Sequence, residues 1–97
     1  MVERKERIRA IEETLGFTHI VVEWKDYRTN ARRCITSSGV VLVKNLEKDF
    51  LITAFMGTQE QIERICRKAG KKQVPPKLQK RVEKNLKKYS YLLEIRG

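Results

Sequence analysis

The sequence predicts an α+β domain, an antiparallel sheet of three to four strands with one helix before it and two after it. Two runs rich in β-branched and aromatic residues, 40–43 and 50–55, flank the polar segment 44–49 and predict a β-hairpin. Helical periodicity on both sides of this hairpin predicts the helices. The chain has 97 residues, which is enough for one modest core, so we expect a single domain over residues 1–97.

The first predicted element is a helix over residues 2–15. Its apolar stripe consists of Ile8, Ile11 and Leu15. Gly16 follows the last apolar position, where a glycine commonly ends a helix. We expect this helix to cover one face of the sheet.

A first strand is predicted over residues 17–24, with His19 and Glu23 on the same face. A helical interpretation of this segment would also bring His19 and Glu23 together, as an i, i+4 pair. Residues 25–33 are polar, and most of this segment is predicted to be a loop, which leads to a short strand over 33–36 and a turn at 37–39. In the strand 50–55, alternation places Leu51, Thr53 and Phe55 on one face, with Thr53 as the polar member.

Two helices are predicted after the sheet. Thr58 and Gln61 match a capping box at the start of a helix over 59–69, whose apolar stripe is Ile62, Ile65, Cys66 and Ala69. A connector over 71–76 contains two prolines, and a second amphipathic helix follows it. Residues 91–96 are also compatible with a final short strand.

The apolar stripe of the last helix consists of Leu78, Val82, Leu86, Tyr89 and Leu93. Its cationic face consists of Lys77, Lys80, Arg81, Lys84, Lys87 and Lys88.

The charge of the chain is strongly asymmetric. Residues 1–60 hold 10 basic and 9 acidic side chains, whereas residues 61–97 hold 12 and 3, out of a total net charge of +10. The basic helical part over 71–97 therefore predicts a polyanionic partner, RNA before a membrane surface. A solvated lysine-rich face on a small stable protein is the alternative interpretation.

Several classes of protein are not favoured by the composition. The first residues carry charges of both signs, and no segment has the length of a membrane span, so we expect a soluble, cytoplasmic protein. Cys34 and Cys66 are too few and too far apart for a zinc-ligand pattern, and we interpret both as small hydrophobic residues, with a disulfide between them as the alternative. No metal or other cofactor is predicted.

Some polar residues suit RNA cleavage without a metal, which needs a proton acceptor, a proton donor and groups that bind the charge developing on the phosphate. His19 and Glu23 are candidates for proton transfer. Candidates for phosphate binding are Arg28, Arg32, Arg33 and Thr53. Because Arg32 and Arg33 point to opposite faces of a strand, at most one of them lines any given pocket.

Further residues are candidates for holding the RNA. Tyr27 is suited to stack on an unpaired base. The basic candidates are Lys25, Lys71, Lys72, Lys77, Lys80, Arg81, Lys84, Lys87 and Lys88. Each catalytic candidate also has a structural interpretation: His19 as a satisfied strand residue, Glu23 as a surface ion-pair partner and Thr53 as a β-forming residue.

The order of these features resembles a known superfamily. A histidine, the segment 27–33 with its arginines, the segment 35–43 (Ile-Thr-Ser-Ser-Gly-Val-Val-Leu-Val) and the segment 51–56 (Leu-Ile-Thr-Ala-Phe-Met) are similar to the small RNase toxins of the barnase, EndoU, colicin and RelE-like superfamily. The resemblance covers residues 17–57 and is strongest to phage and contact-dependent toxin branches.

The resemblance implies a metal-independent ribonuclease site at His19, one of the three arginines, Thr53 and the position of Phe55. It also implies an acidic antitoxin or immunity partner. Phe55 stands where many members have tyrosine, and the basic segment after residue 70 is not a general feature of that pattern.

Three functional hypotheses follow from these features. The first is a toxin-like ribonuclease that acts by 2′-hydroxyl attack. The second is a nucleic-acid-binding module or regulator of phage or mobile-element origin, without catalysis. The third is a structural protein that binds an acidic protein partner.

Overall fold

Four antiparallel strands, arranged in chain order, form the central sheet of the computed structural model, which describes residues 4–17 and 19–94. The elements are α1 (Arg4–Leu15), β1 (Ile20–Asp26), β2 (Ala31–Thr36), β3 (Val40–Asn45), β4 (Leu51–Met56), α2 (Gln59–Lys68), α3 (Pro76–Lys88) and a 3₁₀ helix (Ser90–Glu94). The predicted α+β fold is confirmed, with the fourth strand present.

Helices cover both faces of the sheet. On one face, α1 and the 3₁₀ helix pack through Ile11, Leu15 and Leu92 onto residues such as Val40 and Leu42. The other face is covered by α2 and α3, whose Ile62, Ile65, Cys66, Leu78 and Val82 pack onto Val22, Ile35, Val41 and Val43. The molecule therefore has three layers, with the sheet between two small apolar cores.

The predicted helices form with the expected end signals. Gly16 has φ 74° and its amide donates to the carbonyl of Glu12, which ends α1 in a left-handed residue. Thr58 and Gln61 form the predicted capping box at the start of α2. In α3 the predicted stripe residues Leu78 and Val82 are buried, and so is Asn85, which the sequence interpretation did not place there.

The loop prediction for residues 25–33 is wrong at both ends. Strand β1 continues to Asp26 and β2 already begins at Ala31, and Asp26 pairs with Ala31 at the end of the ladder. Only residues 27–30 form the turn, which Asn30 completes with φ 53°. Polar side chains are tolerated in these strand positions because β1 is an edge strand with one exposed face.

The simple alternation predicted for the strand 50–55 is also wrong. The register of β3 against β4 shifts between Val43 and Lys44, which pair with Thr53 and Leu51, so Ile52 is the extra residue of a β-bulge. As a result Ile52 contacts the α2 and α3 core and Leu51 and Ala54 contact the α1 core, while Phe55 packs against both.

The strand considered for residues 91–96 does not form over its described part, because residues 91–94 belong to the 3₁₀ helix. Residues 95 and 96 lie outside the described part of the chain. No helix within the described ranges is both long enough and apolar enough to cross a membrane.

Candidate nucleic-acid interface

A groove lies between helix α2 and the hairpin formed by β1 and β2, and we call it the hairpin groove. Its volume is about 420 Å³. The hairpin contributes Trp24, Asp26, Arg28, Thr29 and Arg33; the helix contributes Gln61, Arg64, Ile65 and Lys68; and β4 contributes Phe55. The groove thus joins side chains that are up to 44 positions apart in the sequence, from Trp24 to Lys68.

One wall of the groove is held by a hydrogen-bonded turn. The Asp26 carboxylate accepts from the Thr29 hydroxyl at 2.7 Å and from the Arg28 amide at 3.2 Å, and it forms an ion pair with Arg33 at 2.8 Å. The Thr29 hydroxyl bond, together with the charge of Arg33, lowers the pKa of Asp26 against the opposing effect of desolvation. Asp26 is therefore ionised at neutral pH and its charge is matched by Arg33.

An aromatic ring with cations on it forms the centre of the groove. The guanidinium carbon of Arg33 lies 5.5 Å from the centroid of the Trp24 ring, and the Lys68 ammonium nitrogen lies 5.9 Å from it. Both distances are within the range of a cation–π interaction. Trp24 thus contacts a cation of the hairpin, Arg33, and a cation of α2, Lys68.

The groove carries an excess of positive charge. Four cations, Arg28, Arg33, Arg64 and Lys68, line it together with a single carboxylate, Asp26. That carboxylate is paired with Arg33. Among the described residues, no carboxylate forms an ion pair with Arg28, Arg64 or Lys68, so these three cations are available to an anionic ligand.

Tyr27 stands at the tip of the same hairpin. It is 77% exposed, the largest exposure among the large hydrophobic residues of the described part. An exposed ring next to arginine is a suitable platform for an unpaired base. The predicted stacking residue is thus adjacent in sequence to Arg28, which lines the hairpin groove.

The structure does not bring the predicted catalytic residues together. His19 is exposed and precedes β1 at one edge of the sheet, whereas Thr53 is in β4 at the opposite edge. Three strand spacings separate these edges, about 14 Å. The Thr53 hydroxyl accepts a hydrogen bond from Arg7 of α1 at 2.5 Å.

His19 is also distant from its predicted partner Glu23. Four residues of extended chain span about 13 Å, so the two side chains are not the close pair that the sequence interpretation expected. The arginines at the hairpin end of β1 are farther still, since the seven residues of β1 make six steps of extended chain, which span about 20 Å. No described residue combines with His19 into a proton-transfer pair.

Arg32 and Arg33 point to opposite faces, as predicted. Arg33 lines the hairpin groove, while Arg32 forms ion pairs with Asp49 and, at 3.9 Å, with Glu23 on the other face. Lys44 lies 3.6 Å from the same Asp49 carboxylate. The charge of Arg32 is therefore matched within the protein, and of the two arginines only Arg33 lines the groove.

The remaining basic candidates lie on other surfaces. Lys25 pairs with Arg32 in the sheet and points away from the groove. Lys71 and Lys72 line a second groove of about 390 Å³ between α2 and the connector, together with Arg67. The outer side of α3 exposes five lysines, which we call the lysine face: Lys77, Lys80, Lys84, Lys87 and Lys88. Arg81 is half-buried beside them.

Sequence analysis missed Trp24, Arg64 and Lys68 as residues of the site. Arg64 and Lys68 are an i, i+4 pair beside the apolar stripe of α2, so one face of that helix was predictably cationic. That this face meets Trp24 depends on how α2 packs against β1, which no local pattern encodes.

Comparison with models of protein families, with curated proteins and with solved structures finds no match to this chain.

Proposed function

We propose that this protein binds single-stranded RNA through the hairpin groove. The observation that carries the proposal is that one groove combines the Trp24 ring with three cations that no described carboxylate pairs with, next to an exposed Tyr27. Arginine offers a planar set of donors that matches phosphate oxygens, and aromatic rings stack on unpaired bases. The groove therefore offers cations for the phosphates, and the exposed Tyr27 ring beside it offers a face for stacking.

The geometry supports binding better than cleavage. Cleavage by 2′-hydroxyl attack needs a base, an acid and phosphate-binding groups around one phosphodiester. His19 and Thr53 stand at opposite sheet edges, and the hydroxyl of Thr53 already bonds to Arg7. The toxin-like ribonuclease, with its acidic antitoxin, stays a prediction, which incubation of the protein with RNA tests.

The protein contains one tryptophan, and that residue lies in the hairpin groove. Its fluorescence therefore reports on the site directly. Titration with a short unstructured RNA should change Trp24 emission in a saturable way. Each phosphate contact with a single strand contributes about 0.7 to the slope of log K against log salt concentration, so three contacts predict a slope near −2. This slope corresponds to about a 20-fold loss of affinity between roughly 50 and 200 mM salt.

A pair of variants separates groove binding from general charge. Arg64→Ala should weaken RNA binding and make the salt slope shallower by about 0.7. Arg9→Ala removes the same charge from an exposed position of α1, on the other side of the sheet, and should leave the Trp24 titration unchanged. Equal losses in the two variants, or RNA binding with no change in Trp24 emission, would contradict the proposed site.

A further inference from the structure

The lysine face of α3 differs in chemistry from the hairpin groove. It exposes five lysines on one helix, with Glu83 as the acidic residue among them. Lys77 and Lys87 are ten residues apart, which is about 15 Å along the helix axis. Among the described residues none of these lysines forms an ion pair.

This face is suited to phosphates and not to bases. Lysine is a compact point charge without the planar donor fork of arginine, and it has no ring for stacking. Within the described part of the chain, the one cation–π contact of this face is at the end of the helix, where the Lys88 ammonium lies 5.4 Å from the Tyr89 ring. A duplex presents more charge per unit length than a single strand, so a row of lysines favours paired RNA.

Basic side chains connect the two surfaces. The last turns of α2 place Arg64 and Lys68 in the hairpin groove and Arg67 in the second groove. Lys71 and Lys72 continue the second groove into the connector, directly before the start of α3. The second groove also contains the carboxylate of Glu63, so three cations and one acidic side chain line it between α2 and α3.

The position of α3 relative to the groove is fixed by polar contacts, one partly buried and one fully buried. Gln59 of α2 and Gln79 of α3 exchange two hydrogen bonds, at 2.8 and 3.0 Å. The fully buried Asn85 donates to the carbonyl of Ser38 at 2.7 Å and anchors the other end of α3 on the sheet. The spacing between the two surfaces is thus set by the fold.

We infer that the preferred ligand is an RNA in which a single strand adjoins a duplex. The unpaired segment occupies the hairpin groove, and the phosphates of the adjoining duplex lie on the lysine face. This inference rests on the proposed function of the groove and adds the class of RNA that the whole surface selects. In this inference the lysine face of α3 binds the duplex, and the hairpin groove binds the unpaired strand.

The test compares three RNAs: an unpaired strand, a duplex and the same duplex with that strand as a tail. Because the two contacts act together, the tailed duplex should bind about tenfold or more tighter than either part alone. Binding is measured by anisotropy of a labelled RNA, together with Trp24 emission.

Two matched triple variants assign the duplex contact. Lys80→Ala, Lys84→Ala and Lys87→Ala together should reduce the tailed duplex to the affinity of the strand alone and leave the strand unaffected. Each lysine contact with a duplex phosphate contributes about 0.9 to the salt slope, so the loss of three contacts should make the slope for the tailed duplex shallower by about 2.7. The control replaces three other exposed cations, Lys5, Arg9 and Lys48, by alanine and should change neither affinity.

The outcomes distinguish this inference from the proposal on which it rests. If the strand binds the groove but the duplex adds no affinity, the inference is wrong and the proposed function stands. If the two triple variants lose affinity equally, the lysine face has no specific role and the inference is again wrong. If the unpaired strand does not change Trp24 emission, the proposed function itself fails.

Discussion

The contact between Gly39 and Asn85 allows a quantitative test of how α3 is held on the sheet. Gly39 lies in the β2–β3 turn with φ +83°, and a Cβ added there would lie 2.6 Å from Nδ2 of Asn85. That amide is fully buried and donates to the carbonyl of Ser38 at 2.7 Å. Gly39→Ala must therefore displace the Asn85 side chain as well as adopt a left-handed conformation.

The two effects have separate magnitudes. An alanine in the left-handed region costs about 1 to 2 kcal/mol. Displacing Asn85 leaves the buried Ser38 carbonyl without its donor, which costs about 1 to 3 kcal/mol. We expect Gly39→Ala to lower the free energy of unfolding by about 2 to 5 kcal/mol, the sum of these two costs.

A double-mutant cycle isolates the contact. Asn85→Ala alone loses the bond to Ser38, and in that background the new methyl group of Gly39→Ala no longer meets the amide. The double variant should therefore be more stable than additivity predicts, by about 1 to 3 kcal/mol. Stability is measured by urea unfolding followed through Trp24 fluorescence. Additivity within about 0.5 kcal/mol would refute the close approach of residue 39 to Asn85.

Three further predictions concern chemistry in solution. Burial raises the pKa of the Cys34 and Cys66 thiols, so both should react with a thiol reagent at neutral pH only on unfolding; fast labelling of the native protein would contradict their burial. Because the pKa of Asp26 is lowered in the fold, its carboxylate stabilises the folded protein at pH values above the ordinary aspartate pKa. This stabilisation is lost as the pH falls through the lowered pKa, so the stability of Asp26→Asn should depend less on pH in the acid range. Total RNA incubated with the protein and EDTA should remain intact, and cleavage that His19→Ala abolishes would instead establish the ribonuclease.

Local patterns were sufficient for the helices and the central hairpin. The capping box of Thr58 and Gln61 and the apolar stripe around Ile62 and Ile65 are complete within the sequence of α2, and the structure has both. The strand ends were not predictable in this way. Lys25 and Asp26 are polar, and they are in a strand because they pair with Arg32 and Ala31.

The bulge in β4 shows a similar limit for the candidate site. Period-two alternation assumes an unbroken ladder, but Ile52 is an extra residue opposite β3. The residue pairing of Thr53 and its bond to Arg7 therefore follow from contacts across the fold. The toxin-like set at His19 and Thr53 was inferred from sequence order, which does not encode the distance between two edges of a sheet.

The helices that pack on both faces of the sheet explain why the hairpin groove lies beside α2. Among the described residues, α1 and the 3₁₀ helix pack on one face and α2 and α3 on the other, so the middle of each face is apolar core. A ligand can reach the sheet only at its ends and edges, and β1 is the edge where α2 leaves the hairpin end accessible. Trp24 and Arg33 lie at that position, and Arg64 and Lys68 project there from α2. A polyanion that binds this protein in the hairpin groove is therefore expected to change the environment of Trp24, which is why the emission of this one residue decides between groove binding and nonspecific attraction.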